Sequence, residues 1–331
     1  SRQGVVAPAP FDLLFLDDLR GTYTQKAVYG NARYFVSPSF DIGVGLRLTR
    51  DSTHATDQLG GLFAGGSFKL DQSASFNSFM LAPRYKVDGR TMVYARIANA
   101  SRPGGPNSLS PAGIAAGASR TFNPDQLTSY ETGLKTASVD GRFGLDLSAF
   151  YIDWRDVQIR STVNTFAFIG NGGKARSQGL EASVAAQPID GLSLGFNAAL
   201  IDARLAGDAP AVGGLSGDIL PNSARFSASA SADYEFAGIG ASRAYVGASL
   251  RHVGERKENF VRGRGRERLS LPAFATLDLR AGLRWDSWDL NFYAKNATDT
   301  RFVETLTTNF YPVAAAIGRP RTVGAFVSVR H

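Results

Sequence analysis

Residues 40–50 read Phe-Asp-Ile-Gly-Val-Gly-Leu-Arg-Leu-Thr-Arg, and the character of the side chain changes at every step. Every odd position of this stretch up to the ninth is apolar, whereas the positions between them hold aspartate, glycine, arginine and threonine. Successive side chains of a β-strand point to opposite faces of a sheet. The stretch therefore predicts a β-strand with one apolar face and one polar face.

The same alternation recurs along the chain in about thirteen segments. Many of them are 12 residues or longer, whereas strands of globular proteins are typically about 5–6 residues long. A tilted strand needs about 9–11 residues to cross a lipid bilayer, so the segments are long enough to span a membrane. They cover residues 24–36, 39–50, 75–87, 91–100, 126–138, 142–155, 174–187, 192–204, 222–236, 242–253, 273–286, 288–298 and 319–331.

The connections between these segments alternate between short and long. Short ones contain pairs such as Asp88-Gly89 and Asp140-Gly141, which form tight turns because glycine adopts positive φ and aspartate bonds its own backbone. The alternation is typical of bacterial outer-membrane barrels, which have short periplasmic turns and long extracellular loops. Long connections are predicted at residues 54–74, 101–125, 161–173, 205–221, 254–272 and 301–318.

The composition excludes several classes of protein. The chain has 331 residues, a net charge of +7, 36 glycines and 20% charged residues. It has no cysteine and three scattered histidines (His54, His252 and His331), so disulfide scaffolds and cysteine or histidine metal sites are excluded and no cofactor is expected. A soluble sandwich or propeller has shorter, more closely spaced strands than those predicted here.

These features predict an all-β fold, namely an antiparallel transmembrane β-barrel with its apolar side chains toward lipid and its polar side chains toward the lumen. Unpaired backbone groups are costly in hydrocarbon, so such sheets normally close with an even number of strands. The predicted strands number thirteen, which is odd. If the last strand ends in the periplasm, the first predicted strand also runs toward the periplasm, and residues 1–23 then belong to an external loop. The strand before that loop is then missing, and we expect an incomplete wall with two free edges.

Several short stretches resemble the C-terminal part of the barrel of a TonB-dependent outer-membrane receptor. Each is weak alone, but their order and spacing cover nearly the whole chain. They are Gly-Leu-Arg-Leu-Thr-Arg-Asp at 45–51, Arg-Pro-Gly-Gly-Pro-Asn at 102–107, Phe-Asn-Pro-Asp-Gln-Leu-Thr-Ser-Tyr-Glu-Thr-Gly-Leu-Lys at 122–135, Gly-Leu-Glu at 179–181, Leu-Pro-Asn at 220–222, the stretch 291–299, and Gly-Arg-Pro-Arg-Thr at 318–322.

The resemblance implies a barrel of 22 strands with a plugged lumen, of which this chain supplies about 13. Residues 1–331 are then the C-terminal portion of the barrel, without the N-terminal plug domain, the TonB box and the first strands. The family usually ends in an aromatic residue, whereas this chain ends in His331.

The function implied by the resemblance is TonB-dependent active transport of a scarce nutrient, such as a ferric siderophore or a similar large ligand, across the outer membrane. Haem, cobalamin and sugars are not distinguished from siderophores by this sequence. The implied partners are TonB acting through the absent plug, the receptor's own plug domain, the barrel-assembly machinery, lipopolysaccharide and the large nutrient ligand, and no nucleic acid.

Candidate ligand-binding residues lie in the long connections. Arginine forks suit carboxylates and phosphates, although a basic loop also attracts lipopolysaccharide phosphates or is simply solvated. Aromatic side chains suit a planar ligand, or belong to the girdle that anchors barrels at the interface, which is the expected role of Trp154, Trp285 and Trp288. The candidates are Arg256, Lys257, Arg262, Arg264, Phe166, Phe168, Phe310 and Tyr311.

Charged side chains on the polar face of the predicted strands form a second group. They could contact the plug and line the route of the ligand, or they could form a ladder of mutual charge pairs across neighbouring strands. The group consists of Arg47, Glu181, Asp278, Arg280 and Arg284.

Two other functions are consistent with a barrel. One is a passive, porin-like diffusion channel. The other is an outer-membrane hydrolase, for which His252 is a lone candidate with no partner identifiable from the sequence. We therefore expect no enzymatic activity, and the acidic residues interleaved in the basic loop argue against binding of nucleic acid.

Overall fold

The computed structural model of the chain describes residues 2–6, 16–60, 66–109, 111–163, 166–260, 268–307 and 314–329. A five-residue α-helix, α1 (Pro111–Ala115), and a 3₁₀ turn at Pro210–Val212 accompany the strands. Along the described ranges, no helix combines the length and the apolar character needed to cross a membrane. The strands are β1 (Arg2–Val6), β2 (Leu16–Ser37), β3 (Phe40–Gly60), β4 (Gly66–Lys86), β5 (Met92–Arg102), β6 (Gly105–Pro106), β7 (Thr121–Phe122), β8 (Asp125–Ala137), β9 (Phe143–Arg155), β10 (Gln158–Val163), β11 (Phe166–Asn171), β12 (Ala175–Ala186), β13 (Leu192–Leu205), β14 (Phe226–Ala237), β15 (Arg243–Val253), β16 (Arg256–Lys257), β17 (Ser270–Leu271), β18 (Phe274–Arg284), β19 (Trp288–Lys295), β20 (Val303–Thr307), β21 (Ala314–Ile317) and β22 (Thr322–Val329).

Fourteen strands form one antiparallel sheet in the order β1-β2-β3-β4-β5-β8-β9-β12-β13-β14-β15-β18-β19-β22. Each strand therefore pairs with its neighbour along the chain, apart from the short strands that belong to the long connections. Within the described residues, no ladder joins the first strands to β22. The predicted all-β antiparallel wall is confirmed, and each of the thirteen predicted segments contributes one of its strands.

Two expectations about the first quarter of the chain are wrong. Residues 2–6 and 16–23 do not belong to the expected external loop of residues 1–23, because β1 and the start of β2 pair with each other in the sheet. Residues 54–74 are largely strand rather than loop, because β3 and β4 stay in register from Phe40 to Leu59. Beyond Leu48, the side chains of β3 that would continue its apolar row are polar. The sequence therefore does not reveal the strand there, although the backbone ladder continues.

The register separates two faces of the sheet. Val44, Leu46 and Leu48 are exposed on one face, which we call the lipid-facing side. Asp41 and Thr49 are buried on the other, which we call the lumenal side. Cross-strand partners share a face, so the register extends this division from strand to strand, and a wall with exposed apolar rows fits a barrel that faces lipid.

Glycines on the lumenal side lie under aromatic rings of the neighbouring strand. Tyr94 of β5 is opposite Gly133 of β8, and a Cβ added at Gly133 would lie 2.6 Å from the tyrosine ring. Tyr245 covers Gly282 in the same way, in the pairing of β15 with β18. Glycine is required here because any side chain would displace the ring that packs flat on the wall.

An arginine placed on the lipid-facing side tests this assignment. Leu279 lies at the middle of β18, opposite Ala248 and Ala294, and we expect Leu279→Arg to lower the free energy of unfolding by about 2–4 kcal/mol. Ser249→Arg should cost little, because Ser249 lies on the lumenal side opposite Asp278. The measurement is urea unfolding of the receptor in lipid vesicles, and equal losses for the two variants would contradict the assignment.

Candidate functional site

The long connections fold together at one end of the sheet and form what we call the outer-loop cap, residues 103–109, 111–124, 156–163, 166–174, 206–225, 254–260 and 268–273. The cap contains two small hydrophobic cores in which side chains of different loops pack on one another. Apolar burial gives these loops a defined shape, since each buried side chain removes area from water. The first core consists of Val157, Ile159, Ala175, Leu205, Ala209, Val212 and Phe260, with Trp154 and Leu220 against it, and the second of Leu109, Ala118 and Phe168, with Ile114, Val163 and Phe166 against it.

Hydrogen bonds between loops add to this packing. The side chain of Asn107 donates from Nδ2 to the carbonyl of Ile169 and accepts from the Ile169 amide at Oδ1, both at 2.8 Å. The Ser161 hydroxyl donates to the carbonyl of Val212 at 3.1 Å. Each bond joins two different connections, so the cap behaves as one unit rather than as separate loops.

A buried aspartate joins the cap to the sheet. The Asp125 carboxylate, only 2% exposed, accepts from Arg102 Nε at 3.0 and 3.1 Å and also from Arg102 Nη2. It also accepts from the indole of Trp154 at 3.0 Å and from the amide of Gln158 at 3.0 Å. These donors come from β5, β9 and β10, so a single carboxylate fixes the point where the loops leave the wall.

A cavity of about 540 Å³ with a mixed polar and apolar lining lies among these loops. Its lining includes Trp154, Arg160, Glu258, Asn259 and Thr305. The Arg160 guanidinium is exposed and forms no hydrogen bond or ion pair with any part of the chain that the structure describes. An unpaired guanidinium in a cavity is suited to a carboxylate or another anionic oxygen of a ligand.

Glu258 faces the same cavity with one oxygen in an unusual position. Its Oε2 is buried and has no hydrogen-bond partner among the residues that the structure describes. Burial raises the pKa of the Glu258 carboxyl, against the opposing effect of Arg160, Arg256 and Arg268. A ligand group that donates a hydrogen bond to Oε2 would satisfy this oxygen.

The structure gives the predicted cations of the basic loop partners within the protein. Arg256 donates to the carbonyls of Glu304 and Val303 at 3.1 and 3.2 Å, and so connects the loop to β20. Lys257 forms an ion pair with Glu255 at 2.8 Å. Both side chains are therefore held by contacts within the protein, whereas Arg160, which the sequence did not single out, has no side-chain partner among the described residues.

The predicted aromatic residues of the cap are packed inside it. Phe168 is 6% exposed and Phe166 packs against the same core, so these rings support the loops and present little surface to a planar ligand. Four other candidates, Arg262, Arg264, Phe310 and Tyr311, lie outside the described residues.

All five charged residues predicted on the polar face lie on the lumenal side. Arg280 forms an ion pair with Asp233, and Arg284 pairs with Glu235 and Asp289 at 3.4 and 3.3 Å. These contacts form a charge ladder. The remaining three also lie on this side: Arg47 donates to Gln25 at 3.0 Å, Asp278 accepts from the amide of Asn296 at 2.8 Å, and Glu181 is exposed.

The aromatic girdle includes only part of the predicted set. Trp288 is exposed on the lipid-facing side, opposite Val329. Trp154 is not a girdle residue, because it lies on the lumenal side and bonds to Asp125. His252 packs against Phe226 on the lipid-facing side, with ring centroids 5.6 Å apart, and the described residues contain no group of three metal-binding side chains.

Residues 3–297 match the family described as TonB dependent receptor-like, beta-barrel. The chain belongs to this family. Its members are transport receptors of the outer membrane and not enzymes, and this protein is an outer-membrane β-barrel protein.

Known relatives of this receptor chain are considerably longer. The metal-pseudopaline receptor CntO of Pseudomonas aeruginosa (strain UCBPP-PA14) is 27% identical over 283 residues, which is 85% of this chain and 37% of the relative. The pesticin receptor of Yersinia pestis is 25% identical over 309 residues, 92% of this chain and 43% of the relative. The chain spans less than half the length of either relative.

A solved structure shares the fold. The ferric yersiniabactin uptake receptor FyuA from Yersinia pestis superposes with a TM-score of 0.81 at 20% identity, over 96% of this chain and 47% of that chain. At this level of identity the likeness concerns the fold of the receptor wall, and the residues of the cavity have to be argued from their own chemistry.

Proposed function

We propose that this chain forms the C-terminal wall and the outer loops of a TonB-dependent receptor that takes up an anionic metal chelate. The cavity carries the proposal, because the Arg160 guanidinium lines it within the cap and has no partner among the described residues. A chelator that binds metal through carboxylates presents the oxygens that such a guanidinium recognises.

The relatives support this class of ligand. Their names refer to a metal-pseudopaline complex, to pesticin and to ferric yersiniabactin, and two of these three are metal chelates. We propose ferric siderophores or similar chelates as the ligands of this receptor. Glu258 adds a requirement for a hydrogen-bond donor close to the carboxylate of the ligand, since its buried oxygen lacks a partner.

The proposal includes partners that lie outside this chain. In it, the plug domain fills the lumen against the charge ladder, TonB supplies energy through the plug, and the barrel-assembly machinery inserts the strands. The exposed carboxylate of Glu181 is where the wall offers a contact to a plug.

Uptake of iron in cells tests the transport mechanism. A strain that lacks the receptor gene should lose uptake of ⁵⁵Fe from the chelators that it uses, and the full-length gene should restore it. Deletion of tonB should abolish this uptake, because transport is energised. Uptake that persists without TonB would instead support the passive channel.

The same assay tests the cavity. With the cognate ferric chelate, Arg160→Gln should raise the half-saturating concentration about tenfold or more, because a charge-assisted hydrogen bond contributes about 1.5–3 kcal/mol. Arg155→Gln is the matched control, since Arg155 is an exposed arginine at the end of β9, close to Arg160 in the sequence. Equal affinities of the two variants would remove Arg160 from the binding site.

A further inference from the structure

Two opposite charges face the cavity of the outer-loop cap without pairing with each other. Arg160 and Glu258 both line this cavity, and Arg160 acts on the Glu258 carboxyl through space. Among the residues described, however, no hydrogen bond or ion pair joins the two side chains, and the Glu258 carboxylate accepts no hydrogen bond. A half-buried carboxylate without a donor is costly, so the arrangement favours a ligand group between the two charges.

Backbone hydrogen bonds fix the positions of both residues. Arg160 lies in β10, opposite Ile169 of β11. The amide of Glu258 donates to the carbonyl of Leu269 at 2.8 Å, and the carbonyl of Glu258 accepts from Arg268 Nη2 at 2.8 Å. Because each residue is held by a different part of the cap, the gap between their charges belongs to the fold of the loops.

The charges around Glu258 determine which kind of donor fits beside it. Arg256 and Arg268 act on its carboxyl in addition to Arg160, and both of these guanidinium groups donate to backbone carbonyls. One carboxylate therefore stands against three guanidinium groups. An ammonium group of a ligand would be repelled by them, whereas a hydroxyl supplies the missing hydrogen bond without adding positive charge.

We infer, on the basis of the function proposed above, that the cavity recognises a hydroxycarboxylate, whose carboxylate binds Arg160 and whose uncharged hydroxyl donates to Glu258. A volume of about 540 Å³ lies within the range of about 300–1,000 Å³ that is usual for small-molecule sites. Trp154, Leu220 and Leu306 in the same lining suit the carbon skeleton of such a ligand. Glu258 is then the residue that distinguishes a hydroxycarboxylate from a plain carboxylate.

Binding of three small acids to the purified full-length receptor tests the role of Glu258. Malate, succinate and aspartate share one dicarboxylate skeleton, and at the same carbon they carry a hydroxyl, no donor and an ammonium group. Titration calorimetry should give malate an affinity about tenfold higher than that of succinate, because a ligand without the hydroxyl leaves the buried acceptor unpaired. Aspartate should bind more weakly than malate, since its ammonium group meets the three guanidinium groups.

Two variants isolate the contact with the hydroxyl. Glu258→Met removes the acceptor and should lower the affinity for malate to that for succinate, and its retained binding of succinate excludes a folding defect. The control Glu255→Met removes an exposed glutamate of the same loop and should keep the preference for malate. A wild-type receptor that binds malate no better than succinate, or that binds neither acid, would overturn the inference, as would a preference for malate that survives in Glu258→Met.

The variant Arg160→Gln separates a failure of this inference from a failure of the proposed function. It should weaken the binding of malate and of succinate alike, by about tenfold or more, because both acids present a carboxylate to Arg160. If it does so while the wild type does not distinguish the two acids, the anion site stands and only the role of Glu258 is wrong. If it weakens neither acid, the cavity is not the anion site and the proposed function loses its support.

Discussion

Replacement of Asp125 by alanine is expected to lower the free energy of unfolding by about 2–6 kcal/mol, because each of two neutral donors left without an acceptor costs about 1–3 kcal/mol. The substitution leaves the indole of Trp154 and the amide of Gln158 without their acceptor, in addition to Arg102. Because these donors belong to different strands, we expect the strand ends at the top of the wall to come apart and the attached loops to detach in the same step. Urea unfolding in vesicles and the level of folded receptor in the outer membrane measure the effect.

The matched control is Asp153→Ala. Asp153 pairs with Arg155 at 3.6 Å and is 39% exposed, and such surface pairs contribute about 0–1 kcal/mol. This variant should keep nearly the stability of the wild type, although it also removes a carboxylate near the end of β9. If Asp125→Ala proved as stable as Asp153→Ala, the carboxylate would not be what holds the loops to the wall.

Replacement of Phe260 by alanine should open the cap and leave the barrel intact. Phe260 is 0% exposed and packs with Leu205 and Val212 in the first core, with Arg268 over its ring at 4.6 Å. Phenylalanine-to-alanine changes in packed cores cost about 3–5 kcal/mol, which is large for a core of this size. We expect faster proteolysis of the outer loops on whole cells and a loss of ferric chelate uptake, at an unchanged receptor level.

Ile239→Ala provides the comparison for Phe260→Ala. Ile239 lies in the short turn between β14 and β15 and is 77% exposed, so its loss should change neither proteolysis nor uptake. A Phe260→Ala receptor that unfolds as a whole, rather than in its loops, would show that the cap and the wall are one cooperative unit.

The strands were predictable because lipid on one side and water on the other impose strict alternation on each of them. Leu46 and Arg47 illustrate this, since neighbouring residues face opposite media. The alternation fails as a guide above Leu48, where the outward positions of β3 are polar although Ala55 and Leu59 are buried on the other face. The loop predicted at residues 54–74 arose from this loss of contrast.

The cap was the least predictable region because its structure depends on contacts between loops that are distant in sequence. Trp154 is of the residue type that forms aromatic girdles, and only its bond to Asp125 reveals that it lies on the lumenal side. Arg256 looked like a free cation until its contacts with β20 were known. Arg160 has no side-chain partner among the described residues, a difference that no pattern of residue types records.

The shared cores of the cap constrain how such a receptor can diverge. Phe260, Val212 and Ile159 come from three connections but occupy one packed volume, so a single loop transplanted into a related receptor would bring only part of the packing and leave a void. Chimaeras should therefore work only when these loops are exchanged as a set. New ligand preferences would more readily arise from substitutions at the cavity surface, such as at Arg160, than from loop replacement.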